Sequence, residues 1–547
     1  EGALRPTEAT APNPFRSARS YLTYDPDRQE ITFDELSVES AWGRARAEGR
    51  ARLLGMESGW PTGLEAQIRL GEIAANPAGL YPEPVIFEGA GADLRLDFAP
   101  FAFDMGDFRL RDDGRVLRLA GRARAEPEGW SVAVDGRMDA IAPERLLALW
   151  PAALKPKTRT WLSENVREAR LRNIHAALRA QPGSPPDVFL GFDFAELSTV
   201  FVRDVPPIEA ASGHASIRDN RFTVLAESGH VTPAEGGPLD ISGTVFIVPD
   251  LRIRQTPAEA HLKVRGPITG ALSLLDAPPF RFLQKAGRPV TLARGAVALE
   301  GRLDLVLREK LTPEEVAFDV SGTLSDVRSE TLVPGRVLRA DSLRLAADNT
   351  GLEMSGQARL GKVGFSGSWT MPLGPGTNGE SRVRGAVELS QDFVEEFGIG
   401  LPPGAVTGRG QGTIEIALPK AGAGEFALSS DLAGLGLRLP DLGWSLSPAQ
   451  TGRLDVAGKL GPPPQIDVLA IDAGGLRARG EVRLTPGGAL EAARFSRVEL
   501  GEWLDVQAAL IGRGPGVTPA IEVSGGRADL RGESLGSGTG EGGPVRL

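Results

Sequence analysis

Residues 295–307, GAVALEGRLDLVL, decide the fold. In an extended chain Val297, Leu299, Gly301, Leu303, Leu305 and Leu307 fall on one side, and Glu300, Arg302 and Asp304 on the other. A period of two is the mark of a strand with one buried face. The informative residue is Gly301, in mid-strand on the apolar side. Glycine weakens a strand interior, and marks a bend, a bulge or the close approach of another backbone.

The same pattern recurs on both sides of this stretch. It appears as VLRLAGRARA (116–125), SVAVDGRMDA (131–140), LDISGTVFIV (239–248), VAFDVSGTLSDV (316–327) and LEMSGQARL (352–360). VGFSGSWTM (363–371), RVRGAVELS (382–390), GRLDVAGKL (452–460) and LRARGEVRL (476–484) continue it. Phe318, Val320, Gly322 and Leu324 share a face, and the parity places Gly136, Gly243, Gly356, Gly367, Gly385, Gly458 and Gly480 on apolar faces too. Glycines repeated on one face let a sheet curl towards that face. The expected fold is therefore mainly β: an elongated, strongly curved antiparallel sheet forming a groove, with a few short helices. The alternation fits equally well a sandwich, solenoid or barrel whose apolar face is closed by protein. The shortage of helical sequence to cover so long a sheet favours the groove.

Composition agrees with a β-rich chain. There are 69 glycines in 547 residues, against an average near 7 %, and helix interiors disfavour glycine. The length exceeds the roughly 250–300 residues at which one core stops growing, so several domains or a repeat are expected. A net charge of −10 speaks against nucleic acid as a partner. There is no cysteine, which excludes disulfides and thiol chemistry. No run of apolar residues is long enough to span a bilayer. The sequence starts at Glu1, and the expectation is that an upstream signal or anchor has been removed.

Helical periods occur at 142–150, 156–169, 267–286 and 390–397, the last with Ser390 placed as N-cap. The expected organisation is a flexible segment at 1–20, a β-groove segment at 21–141, and a central groove region at 142–330 with helices near 142–169 and 267–286. C-terminal groove repeats follow at 331–531, then a disordered glycine-rich tail at 532–547. In 149–166, LWPAALKPKTRTWLSENV, Trp161 and Leu162 with Trp150 read as a plug over the end of one sheet segment.

No catalytic constellation is present. His175, His214, His230 and His261 lack metal-ligand spacing and read as surface residues. GRGQG (408–412) lacks the Lys-Ser/Thr of a phosphate loop and opens a strand, TIEIAL. Glu314–Glu315 and Glu395–Glu396 read as solvated pairs. The chain is expected not to be an enzyme, with no metal and no cofactor.

LWPAALKPKTRTWLSENV with REARLRNIHAALRA (149–180), GPITGALSLLDAPPFRFLQKAG (266–287) and GAVALEGRLDLVLREKLTPEEVAFDVSGTLSDV (295–327) resembles the central region of YhdP-type proteins of the AsmA-like superfamily, more distantly related to TamB. The resemblance is clearest over about 145–330 and looser over 331–530. It implies a periplasmic β-groove, tethered to the inner membrane of a Gram-negative cell by an anchor not present in this chain. The implied role is bridge-like transfer of phospholipid between inner and outer membranes, with outer-membrane or other envelope proteins as further partners. Leu299, Leu303, Leu305, Phe318, Val320, Leu324, Met354, Phe365, Trp369 and Met371 are the expected lipid-binding residues, with acyl chains along the apolar face and headgroups in water. Two alternatives stay open: a TamB-like factor that assists outer-membrane protein assembly by adding a client strand to its sheet edge, and a passive β-solenoid with a closed core.

Overall fold

A computed structural model describes the chain except residues 1, 5–12, 77–80, 152–155, 203, 279, 309–311, 313–314, 375, 378, 402–403, 462, 487, 515–516, 518, 530–544 and 547. Strands take 65 % of it and helices 9 %, so the chain is mainly β, with antiparallel sheet and a few short helices. It divides into two compact units. Unit 1 comprises residues 1–264, 274–281 and 302–316; unit 2 comprises 265–273, 282–301 and 317–547.

Within each unit the chain meanders, most strands pairing with the strand before. In unit 1 the succession Glu30–Ser40, Gly43–Leu54, Gly63–Ala75, Gly89–Phe98, Phe101–Asp112, Arg115–Glu126 and Gly129–Ile141 is antiparallel throughout. Two-residue turns with positive φ at both positions match the twist of the strands they join. Asp113–Gly114, Asp219–Asn220 and Gly474–Gly475 are such turns. In unit 2 one row of directly opposed residues runs Leu324, Leu343, Gly356, Gly367, Gly385, Ile414, Leu428, Val456, Leu469 and Gly480. Three of its consecutive members are glycines. A Cβ at Gly385 would lie 2.3 Å from the Ser366 carbonyl oxygen and 2.6 Å from the Gly367 Cα. At this position the backbone of the neighbouring strand leaves no room for a side chain.

Unit 2 also has buried cores. Ile268 and Leu272, on the helix Ile268–Asp276, pack with Val297, Leu324, Val327 and Ala340. A larger cluster joins Val394 of the helix Gln391–Glu396 to Leu428, Leu432, Trp444 and Leu476. There, the side hairpin of Leu435–Leu439 and Trp444–Leu446 leaves the main ladder and pairs with Val406–Gly408.

Several expectations are corrected. Of the segment 1–20, expected to be flexible, residues 1 and 5–12 lie outside the described residues, while Gly2–Leu4 is a strand and Asn13–Asp25 pairs with Glu30–Ser40. Backbone hydrogen bonds supply the pairing there in spite of polar composition. Gly243 is in a turn with φ 89°, not in mid-strand, because the Thr244 amide folds back onto the Ile241 carbonyl. The helix from Pro156 stops at Asn165, since Val166 already pairs with Thr199. Trp161, expected to cover a sheet end, is 44 % exposed. Ser390 holds the N-cap position, but its hydroxyl makes no capping bond. The division between units falls within 265–316. Most of the expected tail, 530–544, lies outside the described residues.

Candidate functional site

The strand Gly43–Leu54, GRARAEGRARLL, explains the site. Its outward positions are Arg44, Arg46, Glu48, Arg50 and Arg52; its inward positions are Ala45, Ala47, Gly49 and Ala51. Neighbouring strands place larger residues opposite: Leu36 and Leu70 flank Ala47, and Val38 faces Ala45. Small side chains surrounded by large ones leave space. A cavity of ≈ 330 Å³ opens there, lined by Leu36, Val38, Ala45, Ala47, Ile68, Leu70, Ala92, Leu94, Phe103, Met105 and Phe108. No lining residue carries a polar side chain. Ala47 and Ala92 are buried at its floor, and Val38, 39 % exposed, lies towards solvent.

The opposite face of the same strands is ionic. Arg69 meets Glu48 at 3.1 Å, Arg44 meets Glu72 at 3.4 Å, Arg46 meets Glu35 at 3.6 Å and Arg95 meets Glu65 at 3.5 Å. Exposed pairs of this kind are worth little individually, about 0–1 kcal/mol. Their effect is to fix which face is wet. The far end of the strand Phe101–Asp112 is anchored by a pair in which Asp112 is buried and Arg145 half-buried: Asp112 accepts from Arg145 Nε through both carboxylate oxygens at 3.0 Å. Arg145 lies on the helix Pro143–Leu149 and also donates to the Ile86 carbonyl. Tyr81 ties down the same helix through its hydroxyl, which donates to the Leu149 carbonyl at 2.8 Å.

The ten expected lining residues are divided between the two units. Leu303 and Leu305 belong to unit 1, the other eight to unit 2. Within unit 2, Met354 opposes Trp369, and Val320 and Met371 connect through Ala347 and Leu352. Phe365 is half-buried, and its ring tip would meet a Cβ at Gly367 at 2.7 Å. Phe318 is half-buried on the parity of Val320. Leu324 is buried in the core that includes the helix Ile268–Asp276, and Leu299 and Met354 pack against it half-buried. The unit 1 cavity lies upstream of residue 116, where the glycine-centred pattern was first read. The signal that marks it is RARAEGRARL itself, an alternation whose apolar face holds only alanine and glycine up to its final leucine.

Three histidines sit beside carboxylates on polar faces. His214 Nδ1 is 3.0 Å from Asp193, His230 Nε2 3.6 Å from Glu209 and His261 Nε2 3.5 Å from Glu259. Asp193 also accepts from Asn173 at 2.7 Å, and its carboxyl is held below the ordinary range by the Asn173 bond first and the His214 bond second. Among the described residues, no group of three or more acidic or histidine side chains is placed to hold a metal ion. GRGQG lies inside the strand Val406–Leu418. No helix among the described residues is long and apolar enough to cross a membrane.

No family model, curated protein or solved structure matches the chain. The resemblance to AsmA-like proteins therefore stands on the quoted motifs alone.

Proposed function

We propose that the chain is an acyl-chain carrier of the Gram-negative periplasm, conveying phospholipid between inner and outer membranes along the apolar face of its sheet. The observation that supports this reading is the unit 1 cavity, wholly apolar in its lining and backed by a face of ion pairs. A cavity of this lining excludes polar ligands, which would lose their hydrogen bonds to water without replacement. It favours hydrocarbon, at about 0.8 kcal/mol for each methylene buried. No covalent chemistry is needed. A lipid slides while its headgroup stays in water, and the direction of net flow comes from partners. Within unit 2, the close backbone approach at Gly367 and Gly385 is what a sheet bent towards its apolar face requires. A closed-core reading is favoured where the helix Ile268–Asp276 packs against Leu299 and Leu324, and where the helix Gln391–Glu396 and the side hairpin pack with Leu428.

Native mass spectrometry of the detergent-free chain tests the proposal. Phospholipid or fatty acid is expected to co-purify, and a photocrosslinker at Ile68 or Leu70 to label it. Ala47→Phe fills the cavity floor and is expected to lower the affinity for a fluorescent fatty acid about tenfold, a loss near 1.4 kcal/mol, while the fold persists. A lipid-free protein that ignores the fatty acid would sink the reading.

A further inference from the structure

The apolar face of unit 1 ends in aromatic residues along one lateral edge. Phe98 and Phe101 face each other across their turn, at positions alternating with Leu96 and Phe103 of the apolar face. Trp130 holds the same parity as Val132 and meets Phe101 edge to face, with ring centroids 5.7 Å apart. Tyr24, 43 % exposed, opposes Ile31, which in turn opposes Ala51 of the apolar face. Trp60, in the turn between Gly43–Leu54 and Gly63–Ala75, is 80 % exposed, the highest value among the large apolar residues. The Phe98 amide bonds the Thr62 carbonyl at 2.9 Å and ties the Trp60 turn to its neighbour.

Three cations near this rim are already matched. Arg52 meets Glu65 at 3.7 Å, Arg95 meets Asp97 at 3.2 Å and Arg124 meets Asp104 at 2.7 Å. The edge presents rings with polar tips but no basic field. Tryptophan and tyrosine favour the boundary between headgroups and acyl chains, whereas attraction to anionic lipid needs unpaired lysine or arginine. We infer that this rim docks on a zwitterionic bilayer surface, with Trp60 and Trp130 at headgroup depth and the apolar face beginning where the rings end. What the docking accomplishes rests on the acyl-chain reading; the docking itself does not.

The test is co-sedimentation of the full chain with phosphatidylcholine vesicles at low and high salt, with brominated lipid quenching the tryptophan fluorescence. Binding is expected to be indifferent to salt and to added anionic lipid. It should weaken about tenfold in Trp60→Ser/Trp130→Ser, with the Trp60 contribution lost from the quenched signal. Trp60→Ser alone, at an exposed turn, shows the same trend should the double variant fold poorly. Fatty-acid binding in solution should be unchanged in both variants, so failure of the rim and failure of the cavity are read separately. Three outcomes overturn the inference: no vesicle binding, binding that requires anionic lipid and is lost in salt, or a dimer that the rim variants convert to monomer.

Discussion

Asp112 is, among the described residues, the only ionisable side chain that is fully buried. Its partner Arg145 is brought to it by a helix that starts at Pro143, a residue that fits a first turn because its missing amide has no intrahelical role there. Removing one member of a buried pair leaves an uncompensated charge, which costs about 3–5 kcal/mol. Arg145→Met is expected to destabilise by that order, read as a lower urea midpoint. Arg145→Met with Asp112→Leu should recover most of the loss, since two apolar replacements leave no orphan charge. A different outcome holds at the surface. Asp250 accepts hydrogen bonds from the Arg252 side chain and backbone, which lower its carboxyl to about 2. Arg252→Ala should raise that carboxyl part of the way towards its ordinary 3.8, the amide of residue 252 still donating to it, observable by carbon-detected NMR, with little change in folding because the pair is exposed.

At the scale of strands, the glycines divide into those the ladder needs and those it tolerates. A Cβ at Gly322 would stand 2.1 Å from the Ala298 carbonyl oxygen, and one at Gly385 2.3 Å from that of Ser366. A Cβ at Gly351 would find its nearest neighbour at 3.5 Å. Gly322→Val and Gly385→Val are expected to cost about 3 kcal/mol or more, the upper range for overpacking, and to raise hydrogen exchange in the paired strands. Gly351→Ala should be close to neutral. These positions show how much was legible beforehand. Strand identity and facing were readable because a period of two survives in any sequence with one wet side, as at Val320, Gly322 and Leu324. Helix existence was readable at 142–150 and 267–286 from apolar spacing and proline. The cavity was not, because alanine at 45 and 47 signals only small volume until Leu36, Leu70 and Phe108 are known to surround it. The packing against Leu299 was hidden for a related reason: which face a short helix packs on is set by tertiary contact.

At the scale of the molecule, the wet faces are laced with carboxylates whose protonation opposes folding. Asp193, Asp250, Glu330, Asp348, Glu395 and Asp505 are all held below their ordinary ranges, chiefly by side-chain hydrogen bonds from Asn173, Arg252, Arg328, Thr350, Lys362 and Arg497 respectively. A carboxyl with a lower value in the folded state than in the unfolded one favours folding in its ionised form. That contribution is complete above the unfolded value and disappears as pH falls through the folded value. Stability is therefore expected to decline below about pH 4.5, where the first unfolded-state carboxyls take up protons. Melting curves recorded from neutral to acid pH check this; a flat profile between pH 5 and pH 2 would contradict it.

The meander has an arithmetic of its own. In the row through unit 2, Leu345 and Val383 stand on either side of Met354 and Trp369, and Leu343 and Gly385 on either side of Gly356 and Gly367. Excising the hairpin Gly351–Pro372 would bring Leu345 opposite Val383 and Leu343 opposite Gly385, with chain direction and facing preserved. Losing a single strand would reverse the direction of every strand downstream. Such a sheet can be lengthened or shortened only in even steps, each about 9.6 Å across two strands, so gains and losses over its history should come as whole hairpins.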